Sequence, residues 1–275
     1  MKLLDSGELP RRRLRYAWTP GKREQLTLDM RTSLVGDRSE GRLPDVPLPS
    51  VRVVLAIDPK NVADDGTLTY DWHVASARVV SDDRSAPQVA DAMRTEAVAV
   101  EHLSGSGAVD SHGLGKDLAV DPLEGAEEVT SRPIALQVLQ TLWNVAAPWP
   151  DEEVGLGARW QRVSELAAKS ARATQTDVFT LATWDGSRGT LDDALTQTAP
   201  EQALSVPGMG NGSRAQMGSM LAAGSAKTRF DLSRLVPETR FRGTTTMVLT
   251  SDESRPNEPG TRMVLRVEID LLGAR

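Results

Sequence analysis

Met263-Val264-Leu265-Arg266-Val267-Glu268-Ile269-Asp270-Leu271 decides the fold. Met263, Leu265, Val267, Ile269 and Leu271 interleave with Arg262, Arg266, Glu268 and Asp270. An extended chain therefore carries the apolar set on one face and the charged set on the other. The same pattern returns from residue 13 onward. Leu14, Tyr16 and Trp18 alternate with Arg13, Arg15 and Ala17, and Thr19-Pro20-Gly21-Lys22 then turns toward Leu26, Leu28 and Met30, which reads as a hairpin. Val51, Val53, Leu55 and Ile57 give a third strand, and Asp64-Asp65-Gly66 leads to a fourth with Leu68, Tyr70, Trp72 and Val74. Further strands are expected near 159–168, 174–184, 190–204, 215–232, 239–251 and 261–272. Along 174–184 the pattern is mixed, as for a strand with contacts on both faces.

The period changes in the middle. Val89, Met93, Ala97, Val100 and Leu103 recur at helical spacing and predict a helix over 86–103. Ala135, Val138, Leu139, Leu142 and Val145 share a face and predict a second over 133–146, ended by Pro148 and Pro150. Between them, 104–121 is glycine-rich and polar, either an irregular strand pair or a loop. The expectation is an α+β fold, predominantly antiparallel β: one domain over 1–275, in which β sections 13–80 and 158–272 flank a helical middle at 86–146. A large curved sheet or half-barrel would pack the two amphipathic helices.

Composition narrows the function. The 275 residues carry 39% hydrophobic residues and a formal charge of −6, which supports a substantial core and argues against nucleic acid as partner. Zero cysteines exclude disulfides, thiolate nucleophiles and cysteine-ligated metals, and the three histidines lack ligand spacing. No run of 18 apolar residues is long enough for a membrane-spanning helix. Met1-Lys2-Leu3-Leu4 opens like a signal peptide, yet Asp5, Gly7 and Glu8 follow without an apolar stretch, so either a cytoplasmic start or the mature end of an exported chain fits.

Chemistry-bearing residues are few. Asp110-Ser111-His112 with Asp117 places a hydroxyl, an imidazole and carboxylates close in sequence, as a hydrolase needs in space and as a surface turn has by chance. Gly208, Gly210 and Gly212 lack the Lys-Ser/Thr of a phosphate loop. The adjacent acids Asp64-Asp65, Asp82-Asp83 and Asp192-Asp193 read as turn acids, because neighbours on a strand face opposite ways. Six tryptophans against three phenylalanines are more distinctive. Large rings line grooves for apolar or sugar ligands as well as cores. Trp149, between Pro148 and Pro150, is the one expected to be partly exposed.

Two segments carry a resemblance. Leu3-Leu4-Asp5-Ser6-Gly7-Glu8-Leu9-Pro10-Arg11, followed by Leu14-Arg15-Tyr16 and Gly21, resembles the mature start of uncharacterised exported proteins and lipoproteins of myxobacteria and related bacteria. Pro148-Trp149-Pro150-Asp151-Glu152-Glu153-Val154-Gly155-Leu156-Gly157-Ala158-Arg159-Trp160 resembles a passage in the middle of those proteins. The resemblance implies a removed export signal and a periplasmic or envelope-tethered protein, and brings no activity with it. A looser, architectural resemblance is to the half-barrels of outer-membrane lipoprotein carriers, which enclose an apolar cavity.

The expected function is a non-enzymatic cell-envelope protein that binds an apolar small molecule through Trp18, Trp72, Trp143 and Trp149, or a protein partner, without a cofactor. The alternatives are a surface-assembly subunit pairing through edge strands, and a hydrolase using Ser111 and His112.

Overall fold

The computed structural model describes residues 1–38, 41–42, 46–80, 87–122, 129–130, 132–168, 171–205, 214–251 and 261–273. In chain order the strands are β1 Lys2–Asp5, β2 Glu24–Arg38, β3 Gly41–Arg42, β4 Val46–Pro47, β5 Ser50–Val62 and β6 Leu68–Val80. Helix α1, Pro87–Val100, precedes β7 Ser104–Val109 and β8 Gly115–Val120, and α2 is Pro133–Trp143. Then come β9 Arg159–Ala168, β10 Ala171–Trp184, β11 Arg188–Ala199, β12 Gln202–Ser205, β13 Arg214–Asp231, β14 Glu238–Ser251 and β15 Thr261–Gly273. One open antiparallel sheet runs β1-β9-β10-β11-β13-β14-β15-β2-β5-β6-β7-β8, with the short β12, β3 and β4 beside it.

The deciding stretch lies at the join. β15 pairs with β14 on one side and with β2 on the other, from Arg262↔Asp37 to Gly273↔Leu26, so the C-terminal strand connects the two β sections. Its apolar residue Ile269 is buried on the inner face, opposite Phe241 and Met30.

The inner face is covered by the helices and by two extended segments. Ala97 and Val100 of α1 and Ile134, Ala135, Val138 and Leu142 of α2 enter one continuous core. Each helix begins at a proline, whose fixed φ and missing N–H suit that position. The helices are shorter than the expected 86–103 and 133–146. α1 gives way after Val100 to a tight turn, in which Leu103 N–H donates to the Val100 carbonyl, because Ser104 is already pairing with His73 of β6. The Glu96 carboxylate on α1 accepts from the Ile134 N–H at 2.6 Å, satisfying an open donor at the start of α2. Of the two readings of 104–121, the strand pair is the one observed.

Residues 13–18 correct the expected hairpin. They form no strand with β2, because both edges of β2 are taken by β15 and β5. Leu14, Tyr16 and Trp18 are nonetheless buried. The segment crosses between distant parts of the sheet: Tyr16 N–H donates to the Ser111 carbonyl and Ala17 N–H to that of Leu232. The Tyr16 hydroxyl both donates to the Ala147 carbonyl and accepts from the Ala147 N–H. Rings continue this bridge. Tyr16 stacks on Trp18 at 4.1 Å, Trp149 meets Tyr16, Trp160 and the edge of Phe230, and Trp160 stacks on Phe179.

The two segments that carry the sequence resemblance touch each other. Leu3 pairs with Trp160, Arg12 with Val154, Gly155 N–H donates to the Ser6 carbonyl, and the Arg15 guanidinium donates to that of Pro150. A Cβ at Gly7 (φ 74°) would lie 2.5 to 2.6 Å from the backbone of Gly155, Leu156 and Ala158, so only glycine lets the segments close on each other.

Aromatic rings also lie over glycines of neighbouring strands. Tyr70 is paired with Gly107 and Trp72 with Gly105, and Phe230 with Gly189. Phe241 covers both Gly224 and Gly243. The ring fills the space the missing side chain leaves, which fixes register on the inner face. A Cβ at Gly107 would sit 2.3 Å from the Tyr70 ring, whereas one at Gly218 meets nothing closer than 3.9 Å. Gly107→Ala is expected to lower stability by about 1–3 kcal/mol, as overpacking does, and Gly218→Ala to leave it nearly unchanged. Urea unfolding of the two variants checks the contrast.

Candidate ligand site at the strand ends

The expected tryptophan site does not come together as one groove. Trp18, Trp72 and Trp149 are buried by the chain's own side chains. Trp149 is 0% exposed rather than partly exposed, because its N–H is tied to the His112 carbonyl and its ring packs on Tyr16, Trp160 and Phe230. Trp143, at the end of α2, is 46% exposed and stands apart.

The Ser111 and His112 group forms no relay. The His112 ring turns to Asp151, its Nε2 2.8 Å from Asp151 Oδ1. Asp110 is used by the turn itself, accepting from the His112 and Leu114 N–H groups. Among the described residues Ser111 Oγ makes no hydrogen bond to His112, so the hydroxyl has no base in place. The glycine loop at 206–213 and the pair Asp82-Asp83 lie outside the described residues.

A cavity of about 660 Å³ opens instead where β10, β11, β13 and β14 end. Its apolar lining is Trp184, Phe230 and Val236, and its polar rim includes Lys22, Asp185, Arg188, Arg229, Asp231, Arg234 and Glu238. The elements that place these groups are turns. Gly186, at φ 100°, lets the chain reverse after Trp184, and Asp185 Oδ1 accepts the Arg188 N–H. Across the β11–β13 pair, Arg188 Nε donates to Asp231 Oδ2 at 2.7 Å. Asp231 Oδ1 accepts from the N–H and the hydroxyl of Ser233. Burial raises the Asp231 carboxyl, but the bonds from Ser233 and Arg188 together outweigh it and hold the group below its ordinary value. Arg229 faces Glu238 on the next strand.

Glu24 anchors the far wall. This buried carboxylate on β2 accepts from the Leu235 and Val236 N–H groups and lies 3.4 Å from Arg234, so it ties the β13–β14 connection to the middle of the sheet. Of the cations on the rim, Arg188 faces Asp231, Arg229 faces Glu238 and Arg234 faces Glu24. The lining is mostly polar and carries both signs of charge, with Trp184 and Phe230 toward the inner face and Arg229 and Glu238 toward the outer one. Sequence reasoning noted Trp184 only as one of six tryptophans. Its neighbours come from residues 22, 188, 229 and 238, which only strand register brings together.

A second concentration of charge sits on the inner face above the core. Asp177 is 1% exposed and accepts from Arg162 Nε and Nη2 and from Gln175 Nε2. Arg162 also donates to Asn144 at the end of α2 and lies over the Phe179 ring. Asp193, opposite Phe179 on β11, has a buried Oδ1 without a partner. Burial first, and the Asp177 charge second, push its carboxyl up to about 7 against the pull of Arg162. The adjacent pair Asp192-Asp193 therefore divides: Asp192 faces out toward Lys227 and Asp193 faces in.

No family model and no curated protein matches the chain. Among solved structures, the chain is similar to Acinetobacter baumannii OccAB3, at 5% identity and a TM-score of 0.24, over 92% of this chain and 100% of that one.

The Asp193 proton is held to about pH 7 in the folded chain, while an unfolded aspartate releases it near pH 4. The folded state then binds more proton between those values, and this group's contribution to stability falls as pH rises from about 4 to about 7. Asp193→Asn is expected to flatten that slope and to exceed the wild type in stability at pH 8 by at most about 4 kcal/mol. Urea unfolding at pH 5 and pH 8 measures both; equal destabilisation at the two pH values would mean that Arg162 depends on the Asp193 charge.

Proposed function

We propose that this chain is a non-enzymatic binding protein of the bacterial cell envelope, which holds a small ligand or a protein partner without transforming it. The observation that carries the reading is the strand-end pocket, in which two of the three lining carboxylates face an arginine side chain and the third is held by its own turn. Asp185 accepts the Arg188 N–H, Asp231 the Arg188 side chain, and Glu238 faces Arg229. A general base needs a pKa near the working pH and a lone pair to spend. Asp231 is held the other way. Groups so engaged orient a ligand well and abstract protons poorly.

The envelope location rests on the resemblance of the segments around Gly7 and Trp149 to exported proteins. The outer face is consistent with an aqueous compartment. Arg242 pairs with Glu268, which also faces Arg31, and Arg240 with Asp270, in place of the apolar band that a lipid-facing barrel presents. No described helix is long and apolar enough to cross a membrane.

Edge pairing has less support. The end strands β1 and β8 have four and six residues, and β8 carries Lys116 and Asp117, which blunt an edge. Native mass spectrometry of the full chain, followed by denaturing extraction, is expected to show a bound small molecule or a stoichiometric protein. A bare chain that captures neither from envelope extracts would overturn the reading, and recovery in the cytoplasmic fraction would overturn the location.

A further inference from the structure

A second hollow, of about 750 Å³, lies on the outer face of the sheet, over β13, β14, β15 and β2. Register fixes which side chains share that face. Ala226, Phe241, Ile269 and Met30 form one row across the four strands on the inner face. One residue along each strand gives the outer row Ser225, Arg242, Glu268 and Arg31. Two further along comes the outer row Ala223, Thr244, Arg266 and Ser33, and the pairing has no register shift over this stretch. Both rows line the hollow. Between them Gly224, Gly243, Val267 and Thr32 pair in line and contribute backbone, because their parity is that of the inner face. The hollow exists because side-chain lengths are grouped: the arginines and Glu268 rise beside Ala223, Ser225, Ser33 and Thr244, which leave the floor low.

The charges here do not cancel. Glu268 is the acid of the lining, and two arginines share it. Arg242 Nε lies on its Oε1, and Arg31 Nη1 is 3.8 Å from its Oε2. One carboxylate cannot neutralise two guanidiniums, so an excess of positive charge remains from this trio alone. Arg266, two residues from Glu268 on the same face, has interactions of its own and brings a third guanidinium to the lining. The acids of the next outer row, Asp270 and Asp29, are held by Arg240 and Arg52. The Arg31 and Arg242 side chains are 65% and 68% exposed, and a guanidinium carries more donors than one carboxylate contact uses. An arriving anion therefore gains charge-assisted hydrogen bonds without first breaking the pairs.

The arrangement also selects among anions. Its cations come from three different strands, so they approach an occupant from different sides. A carboxylate offers two oxygens in one plane, whereas a tetrahedral oxyanion presents oxygens in several directions and matches the fork of a guanidinium. The hydroxyls of Ser33 and Thr244 stand on the same lining.

We propose that this hollow binds a phosphate group, with Arg31 and Arg242 as its principal contacts and Arg266 beside them. The site is separate from the strand-end pocket and does not depend on the reading given to that pocket. The same chemistry serves a soluble phosphate compound and a phospholipid headgroup.

The test is calorimetry of the full chain with inorganic phosphate and with acetate, in a chloride buffer of low ionic strength. Phosphate is expected to bind at least about tenfold more tightly than acetate. Arg31→Gln and Arg242→Gln are each expected to weaken phosphate about tenfold, with the melting midpoint retained because exposed ion pairs add little to stability. Arg240→Gln removes the same charge from the same face of β14, at a residue paired with Asp270 outside the hollow, and is expected to leave binding unchanged. Vesicles of phosphatidylcholine with and without phosphatidic acid then separate the sources. Retention of the wild type on phosphatidic acid, lost in both arginine variants, assigns the phosphate to a lipid headgroup; phosphate binding without retention assigns it to a soluble ligand. Either result supports the site. Phosphate no tighter than acetate, Arg31→Gln and Arg242→Gln without effect, or Arg240→Gln as damaging as they are, overturns it.

Discussion

Trp149 is the contact on which the rest of the arrangement depends. A long sheet with one apolar face needs cover along its length, and among the described residues two helices of 14 and 11 residues supply part of it. The remainder is closed by the extended segments around residues 14–18 and 145–150, which have little regular hydrogen bonding of their own. The Trp149 ring reaches Tyr16 on one segment, Trp160 on β9 and Phe230 on β13. Aromatic contacts of this kind add about 0.5–1.5 kcal/mol each beyond their buried area. Removing the ring would uncouple the extended segment at Tyr16 from β9 and β13.

The pocket is a consequence of how that core ends. Phe230 is both a partner of Trp149 and part of the cavity lining, so the side chain that closes the core also forms the inner boundary of the site. Beyond it the strands run out, and the open backbone groups of the β13–β14 connection need acceptors. Glu24 supplies them from β2. A buried carboxylate that accepts two N–H bonds and faces an arginine is costly to disturb, because the donors would be left unsatisfied. The wall of the pocket is therefore rigid for the same reason that the connection is stable.

Much of this was legible in the sequence, and the failures have physical causes. The strands carrying Leu68 to Val74 and Met263 to Leu271 follow directly from period-two alternation, and the antiparallel sheet with two helices among the described residues is the observed fold. The segment 13–18 shows the same alternation without being a strand. Periodicity reports which residues face inward and cannot say whether a partner strand is free. Thr174 to Trp184 gave a mixed pattern because Asp177 points inward to Arg162, a charge at a core position that only its partner explains. Ser111 and His112 are neighbours in sequence and find no common task in space. The strand-end pocket was illegible because its residues come from turns and strand ends, where register, not local pattern, decides proximity.

Register is also what the outer face protects. Exposed ion pairs contribute little to stability, about 0–1 kcal/mol each, yet their order along β14 and β15 opposes slippage. A slip of one residue would turn Arg240 and Arg242 toward the core. A slip of two in one direction would set Arg242 opposite Arg266 and Glu238 opposite Asp270, placing like charges face to face. In the other direction Arg240 would lose Asp270 and meet Leu272. The inner face opposes slippage between β13 and β14, since Phe241 of β14 covers Gly224 of β13 only in the observed alignment. Two weak codes, one of charge and one of ring against glycine, thus hold strands of up to 18 residues in a single alignment. That alignment brings Arg229 to Glu238 and Arg188 to Asp231, so the pairs on the pocket rim depend on register fixed farther along the strands.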